Sequence, residues 1–205
     1  MSHGHGPANP GPAGLVALAM ACFTFYAVHT GKVDGSCIPL LGIWLIGGFI
    51  VQVIVGIMEL NHGNIVGGNI FTFFSAFFMF VTGGELIFKF FAAQNGWTID
   101  ARIDGWAWLA LAIALLTWTP AYFKSPLSLL GVVLALDVAV PVVAFMDLGI
   151  LGHEWHAVSG NFLGLAGIFG LYTAWGVILN TQFGRTIIPL GGPIVKDQVS
   201  VSASK

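Results

Sequence analysis

In a chain of 205 residues, 57% are hydrophobic and only 8% are charged, against roughly 45 to 50% and about 25% in an average soluble domain. A water-facing fold of this size needs polar residues to cover its large exposed fraction, so the composition excludes an ordinary soluble protein and points to a bilayer as solvent. Seven basic and nine acidic residues leave a formal charge of -2 with no basic block, which argues against a nucleic-acid partner.

A hydrocarbon layer about 30 Å thick takes about 20 apolar residues per helix. Cutting the chain at its polar and turn-forming clusters yields six such runs: Ala13 to Thr30, Pro39 to Leu60, Val66 to Ala93, Gly105 to Phe123, Leu127 to Gly149 and Ala157 to Leu179. The expected fold is therefore all-α, a polytopic membrane protein whose six transmembrane helices form a bundle. Residues 1–12 form a polar tail carrying an NPGP motif, residues 13–180 the membrane domain, and residues 181–205 a QFGRT motif and a second polar tail. The first 13 residues hold no Lys or Arg, so the first run reads as a retained helix and not as a cleaved signal. Lys124, Arg185, Lys196 and Lys205 lie on the side of both termini, against Lys32, Lys89 and Arg102 opposite. Under the positive-inside rule this orients both termini to the cytoplasm, with Trp44, Trp97, Trp106, Trp108, Trp118 and Trp155 near helix ends as an interfacial belt.

Along the chain, Asn9-Pro10-Gly11-Pro12 comes first. Its prolines favour extended neighbours and oppose regular helix, leaving the Asn9 side chain and the backbone donors at a helix entrance free for a carboxylate or other anion. Cys22 and Cys37 lack metal or redox spacing and read as packing residues. His29 ends the first run, while Glu59 and His62 flank a short loop that water reaches. Glu85 and Lys89 have the i,i+4 order of an ion pair. Asp137 has no cation within one turn of its helix, and Pro141 stands four residues on; it is a candidate proton-linked or gating acid, or a neutral acid bonded across helices. Gly160 with Gly164, and Gly63 with Gly67, have the small-xxx-small spacing of close helix packing. His153, Glu154 and His156 sit in one loop with no second cluster to complete a metal site. No metal or other cofactor is expected, and no enzyme, because no acid/base pair or nucleophile is set on facing runs.

Three blocks carry a family resemblance. Asn9 to Leu15, with Pro10, Pro12, Gly14 and Leu15, resembles the NPAPLGL motif of the acetate uptake transporter family. Gln52, Gly56, Glu59, Gly63-Asn64, Gly68, Phe71-Thr72 and Phe77 are similar to that family's run through the second and third spans. The stretch Tyr172 to Gly191, containing Leu179 to Pro189 with Arg185, resembles its LNxQFGRTxxP ending. The resemblance covers roughly residues 8–192. It implies a multi-pass protein of the cell (inner) membrane, a homohexamer, with a path in each protomer for acetate and related small carboxylates, succinate among them, and protons as a candidate co-substrate.

By matching positions, Asn9 is the polar contact on the substrate route, and Leu18, Phe74 and Leu136 form the pore constriction. Gln52, Asn64 and Thr72 add hydrogen-bond donors without a fixed positive charge. The chain departs from the family pattern at Leu18, where relatives often carry an aromatic residue, at Phe74, where a tyrosine is usual, at Val177, where relatives can carry a glutamate, and at Asp137, where the pattern has no acid. A urea or short-chain amide channel is the alternative within transport, since such channels also combine six helices, a hexamer and apolar constrictions.

Overall fold

The computed structural model describes residues 8–196. Its helices are α1 (Gly11–His29), α2 (Ile38–Asn61), α3 (Ile65–Phe74), α4 (Thr82–Gln94), α5 (Arg102–Trp118), α6 (Leu127–Asp147) and α7 (His156–Phe183). Six membrane-length spans result, because α3 and α4 are joined without a break by a π-helical segment, Ser75–Val81. The apolar side chains fall on every side of these helices, as a bilayer allows: Ile43, Trp44, Ile54, Phe77, Trp106, Ile113, Ile168 and Trp175 all face outward. Trp108 departs from the expected belt; it is buried, with its ring edge-on to Phe78 at 5.8 Å.

Small residues set the closest approaches. α1 lies along α7, where Gly160 meets His29, Gly164 meets Tyr26 and Gly167 meets Cys22. Cys22 is buried in that contact and both cysteines are free thiols. α2 and α4 cross at Gly42 and Gly83, where a β-carbon on Gly42 would stand 2.6 Å from the Gly83 carbonyl oxygen. Without a hydrophobic driving force between helices in lipid, such backbone contact is what holds the spans together.

Two helix ends differ from the sequence expectation. α1 begins at Gly11, directly after Pro10, with Pro12 inside its first turn, a place where the ring's fixed φ suits the helix and its missing N–H is no loss. α7 runs on to Phe183 before Gly184 turns left-handed at φ 62° and ends it, so part of the QFGRT motif is helical. The chain then returns along α7. Asn180 Oδ1 accepts from the Ile187 and Ile188 N–H groups at 2.6 and 2.9 Å, and its Nδ2 donates to the Ile188 carbonyl at 2.8 Å. The Tyr172 hydroxyl donates to the Pro189 carbonyl at 2.6 Å, and the Ser128 N–H of α6 to the Leu190 carbonyl at 3.0 Å. The motif thus ends a helix and fastens the returning strand of chain. His3, His5 and Lys205 lie outside the described residues.

Candidate functional site: two vestibules and an apolar ring

A cavity of about 240 Å³ lies at the end of the bundle that carries Asn9, between α1, α2, α3, α6 and α7. A second, of about 110 Å³, lies toward the other end. Phe74 and Leu136 line both, so the two rings of wall residues meet at these side chains. Leu18 closes the first cavity beside them, and all three are buried. Below Phe74 an aromatic file continues: Phe78 is edge-on to Phe74 at 5.8 Å and stacked on Phe25 at 5.6 Å. The π-helical segment starts at the residue after Phe74. Its wider turns change the register of the helix, a feature that recurs at functional sites.

The near vestibule is polar at its mouth. The Asn9 Oδ1 accepts from the Gly11 N–H at 2.8 Å, and the Ala13 N–H is taken by the Pro10 carbonyl at 3.1 Å. The backbone donors expected to be free at this entrance are therefore largely engaged, and the Asn9 amide N–H groups remain. Glu59 occupies the position expected of an incoming anion. It is only 7% exposed, not loop-like, and a β-carbon on Gly11 would stand 3.2 Å from its Oε1. A carboxylate there meets the positive end of α1. Asn64 Nδ2 donates to Glu59 Oε2 at 2.7 Å, while Asn64 Oδ1 caps α3 by accepting from the Gly67 N–H at 3.0 Å.

Gln52 is 1% exposed and borders the same cavity. Its Nε2 donates to the Gly14 carbonyl at 3.1 Å, and its Oε1 has no partner among the described residues. Gly14 is small because Phe71 lies against it; a β-carbon would come within 2.6 Å of that ring. Pro12 and Leu15 complete this wall. Tyr122, Ser125 and Thr173 also line the cavity. Sequence reasoning missed them because they lie outside the three motif blocks or, for Thr173, among apolar neighbours.

Of the expected residues, Pro10, Gly14, Thr72, Asp137 and Arg185 line neither cavity. The Thr72 hydroxyl donates back to the Gly68 and Asn69 carbonyls, both at 2.9 Å, and its methyl packs on Gly56. Asp137 lines neither cavity; its Oδ2 accepts from the Thr119 hydroxyl at 2.8 Å across the α5–α6 contact. Arg185 is exposed on the segment after α7. Among the described residues no group of three or more His, Cys, Asp or Glu could hold a metal ion.

A model described as the GPR1/FUN34/yaaH family matches residues 2–190. The chain belongs to this family. GPR1/FUN34/yaaH relatives include the "Succinate-acetate/proton symporter SatP" of Escherichia coli strain K12, 28% identical over 189 residues that cover 90% of this chain and 95% of the relative. The protein of the same name from Shigella flexneri matches to the same extent. Among solved structures, the "Structure of the bacterial acetate channel SatP" superposes with a TM-score of 0.77 at 25% identity, covering 91% of this chain and all of the other.

Proposed function

We propose that this GPR1/FUN34/yaaH protein carries acetate and related small carboxylates, succinate among them, across a membrane through a path inside each protomer. The observation that carries this reading is the common wall of two cavities: Phe74 and Leu136 border both, with polar groups on either side. An anion is too costly to leave in hydrocarbon without hydrogen-bond donors. The carboxamides of Asn9, Asn64 and Gln52 offer donors on the near side without the fixed charge that would hold an anion too tightly to release. The apolar ring of Leu18, Phe74 and Leu136 keeps the vestibules from joining as one water column. The relatives are named for carboxylate transport, so the urea or amide reading gives way to this one, and the same names support a transporter in place of an enzyme.

The reading extends to a homohexamer in the cell (inner) membrane with both termini cytoplasmic, supported by Lys124, Arg185 and Lys196 at the Asn9 end. The test is labelled acetate uptake into liposomes holding the purified full-length protein. Saturable uptake above that of protein-free vesicles, with no matching uptake of labelled urea, is the expected result; urea uptake without acetate uptake would refute it.

A further inference from the structure

An ionisable network on the wall of the far vestibule takes no part in the recognition and closure described for the near side. Lys89 Nζ stands 3.6 Å from Glu85 Oε1 on its own helix, as the i,i+4 spacing predicts, and it also contacts Asp104 Oδ2 from α5. Asp147, the last residue of α6, borders the same cavity and acts electrostatically on Lys89, Asp104 and Glu85. Two carboxylates contact one ammonium and a third, Asp147, borders the same cavity, so the ionised network carries a charge of -2, three negative less one positive.

Imidazoles lie close by. His29 of α1 lines the cavity, with its Nδ1 3.2 Å from Ser159 Oγ of α7 and its ring centroid 5.2 Å from that of His156. His156 stacks on exposed His153 at 5.3 Å, and its Nδ1 donates to the His153 carbonyl oxygen at 2.9 Å. The neutral His156 ring then keeps Nε2 as an acceptor. Three imidazoles thus lead from the loop surface to the cavity. α2, which packs on α4, carries Glu59 as its single ionisable side chain, at the opposite end.

Carboxylates inside membrane spans mark ion and proton routes. A carboxylate substrate beside this wall meets like charge, which favours a bound proton. We propose that Glu85, Asp104 and Asp147 around Lys89, reached through His153, His156 and His29, form the proton-loading site of the transport path. This rests on the carboxylate-transport reading above. One carboxylate oxygen of the network takes a proton from water on its side and passes it to the substrate carboxylate, forming the O–H of the neutral acid. That acid crosses Leu18, Phe74 and Leu136 and returns its proton to water as it ionises in the near vestibule. The network regains its charge, and one proton accompanies each monocarboxylate.

The experiment uses the full chain in liposomes clamped at zero voltage, with labelled acetate at fixed anion concentration and protein-free vesicles subtracted. Wild-type uptake should rise about tenfold as the outer pH falls from about 8 to about 5, because protons to load the site become more abundant. In Glu85→Gln/Asp147→Asn the dependence should fall below about twofold, whereas Asp147→Glu, which keeps an acid, should retain it. A double variant with the wild-type pH dependence would overturn the proposal. Should the double variant not assemble, wild type still decides: a pH dye trapped in the lumen must report protons entering with acetate, and no such entry overturns the proposal. Absence of all protein-dependent acetate uptake would sink the transport reading itself, while uptake indifferent to pH would sink the proton site alone.

Discussion

The near vestibule is lined by carboxamides held in place by helix caps and a single carboxylate, Glu59, that Asn64 holds, whereas the far vestibule is lined by a cluster of ionisable side chains drawn from several helices. Asn9 and Asn64 each spend one atom on a backbone N–H of a helix start, so their orientation follows from local geometry. Glu85, Lys89, Asp104 and Asp147 are brought together from three successive helices, α4, α5 and α6. Neutral donors recognise a carboxylate without resisting its departure, while a charged wall answers to pH. On the proposed reading, one path separates recognition from energetic coupling by placing them on opposite sides of an apolar ring.

Four changes break or sharpen that contrast. The largest effect is expected from Gly42→Val, which drives a branched side chain into the Gly83 backbone and displaces the helix that carries Glu85 and Lys89. A loss of about 1 to 3 kcal/mol is expected from overpacking a closed contact, read as a lowered melting temperature in detergent. Phe74→Ala should merge the two vestibules and raise lactate or succinate flux about tenfold relative to acetate, the scale of a few lost apolar contacts at a selective site. Unchanged selectivity would remove Phe74 from the ring.

Gln52→Leu acts on the near side alone. The variant loses the Nε2 bond to Gly14 but also the unpartnered Oε1, so stability should change by less than about 1 kcal/mol. Half-saturation for acetate should rise about tenfold if this amide bonds the anion, with the pH profile of uptake intact. The smallest effect is expected from Asp100→Asn in the exposed loop before α5. Two hydrogen bonds from Arg102, at 2.8 and 2.6 Å, hold the Asp100 carboxyl down to about 2 from its ordinary 3.8. A depressed acid stabilises the fold above its unfolded value and loses that contribution as pH falls through the folded one. The wild-type advantage in melting temperature should therefore be slight, constant above pH 3.8, and fade toward about pH 2.

The membrane helices were legible because each is an apolar run of sufficient length bounded by polar turns. Their ends were less so: Thr181 and Gln182 read as part of the motif and tail after the membrane domain, yet they lie in α7 because Gly184 supplies the left-handed stop two residues further on. Asn9, Gln52, Glu59 and Asn64 were visible through motif spacing, and they do gather at one cavity. Thr72 shared that spacing, but hydroxyls in helices can satisfy themselves on the preceding turn, and no pattern of residue types reveals which way they point. The far network was visible only as the Glu85–Lys89 pair. Asp104 and Asp147 join it through tertiary contact, and Asp137, the acid that stood out in sequence, bonds Thr119 instead.

The π-helical turns at Ser75–Val81 have a bearing on chain length. In an α-helix each residue advances the side-chain direction by about 100°. Removing one residue from the π-helical stretch, as would convert it to ordinary α-helix, need not swing the rest of the span, whereas removing one from the regular helix on either side must. Phe74 and Glu85 flank that stretch. The seven residues work as a spacer whose winding sets the phase between ring and charge, and a deletion scan along residues 70–88 would find its tolerant position inside them.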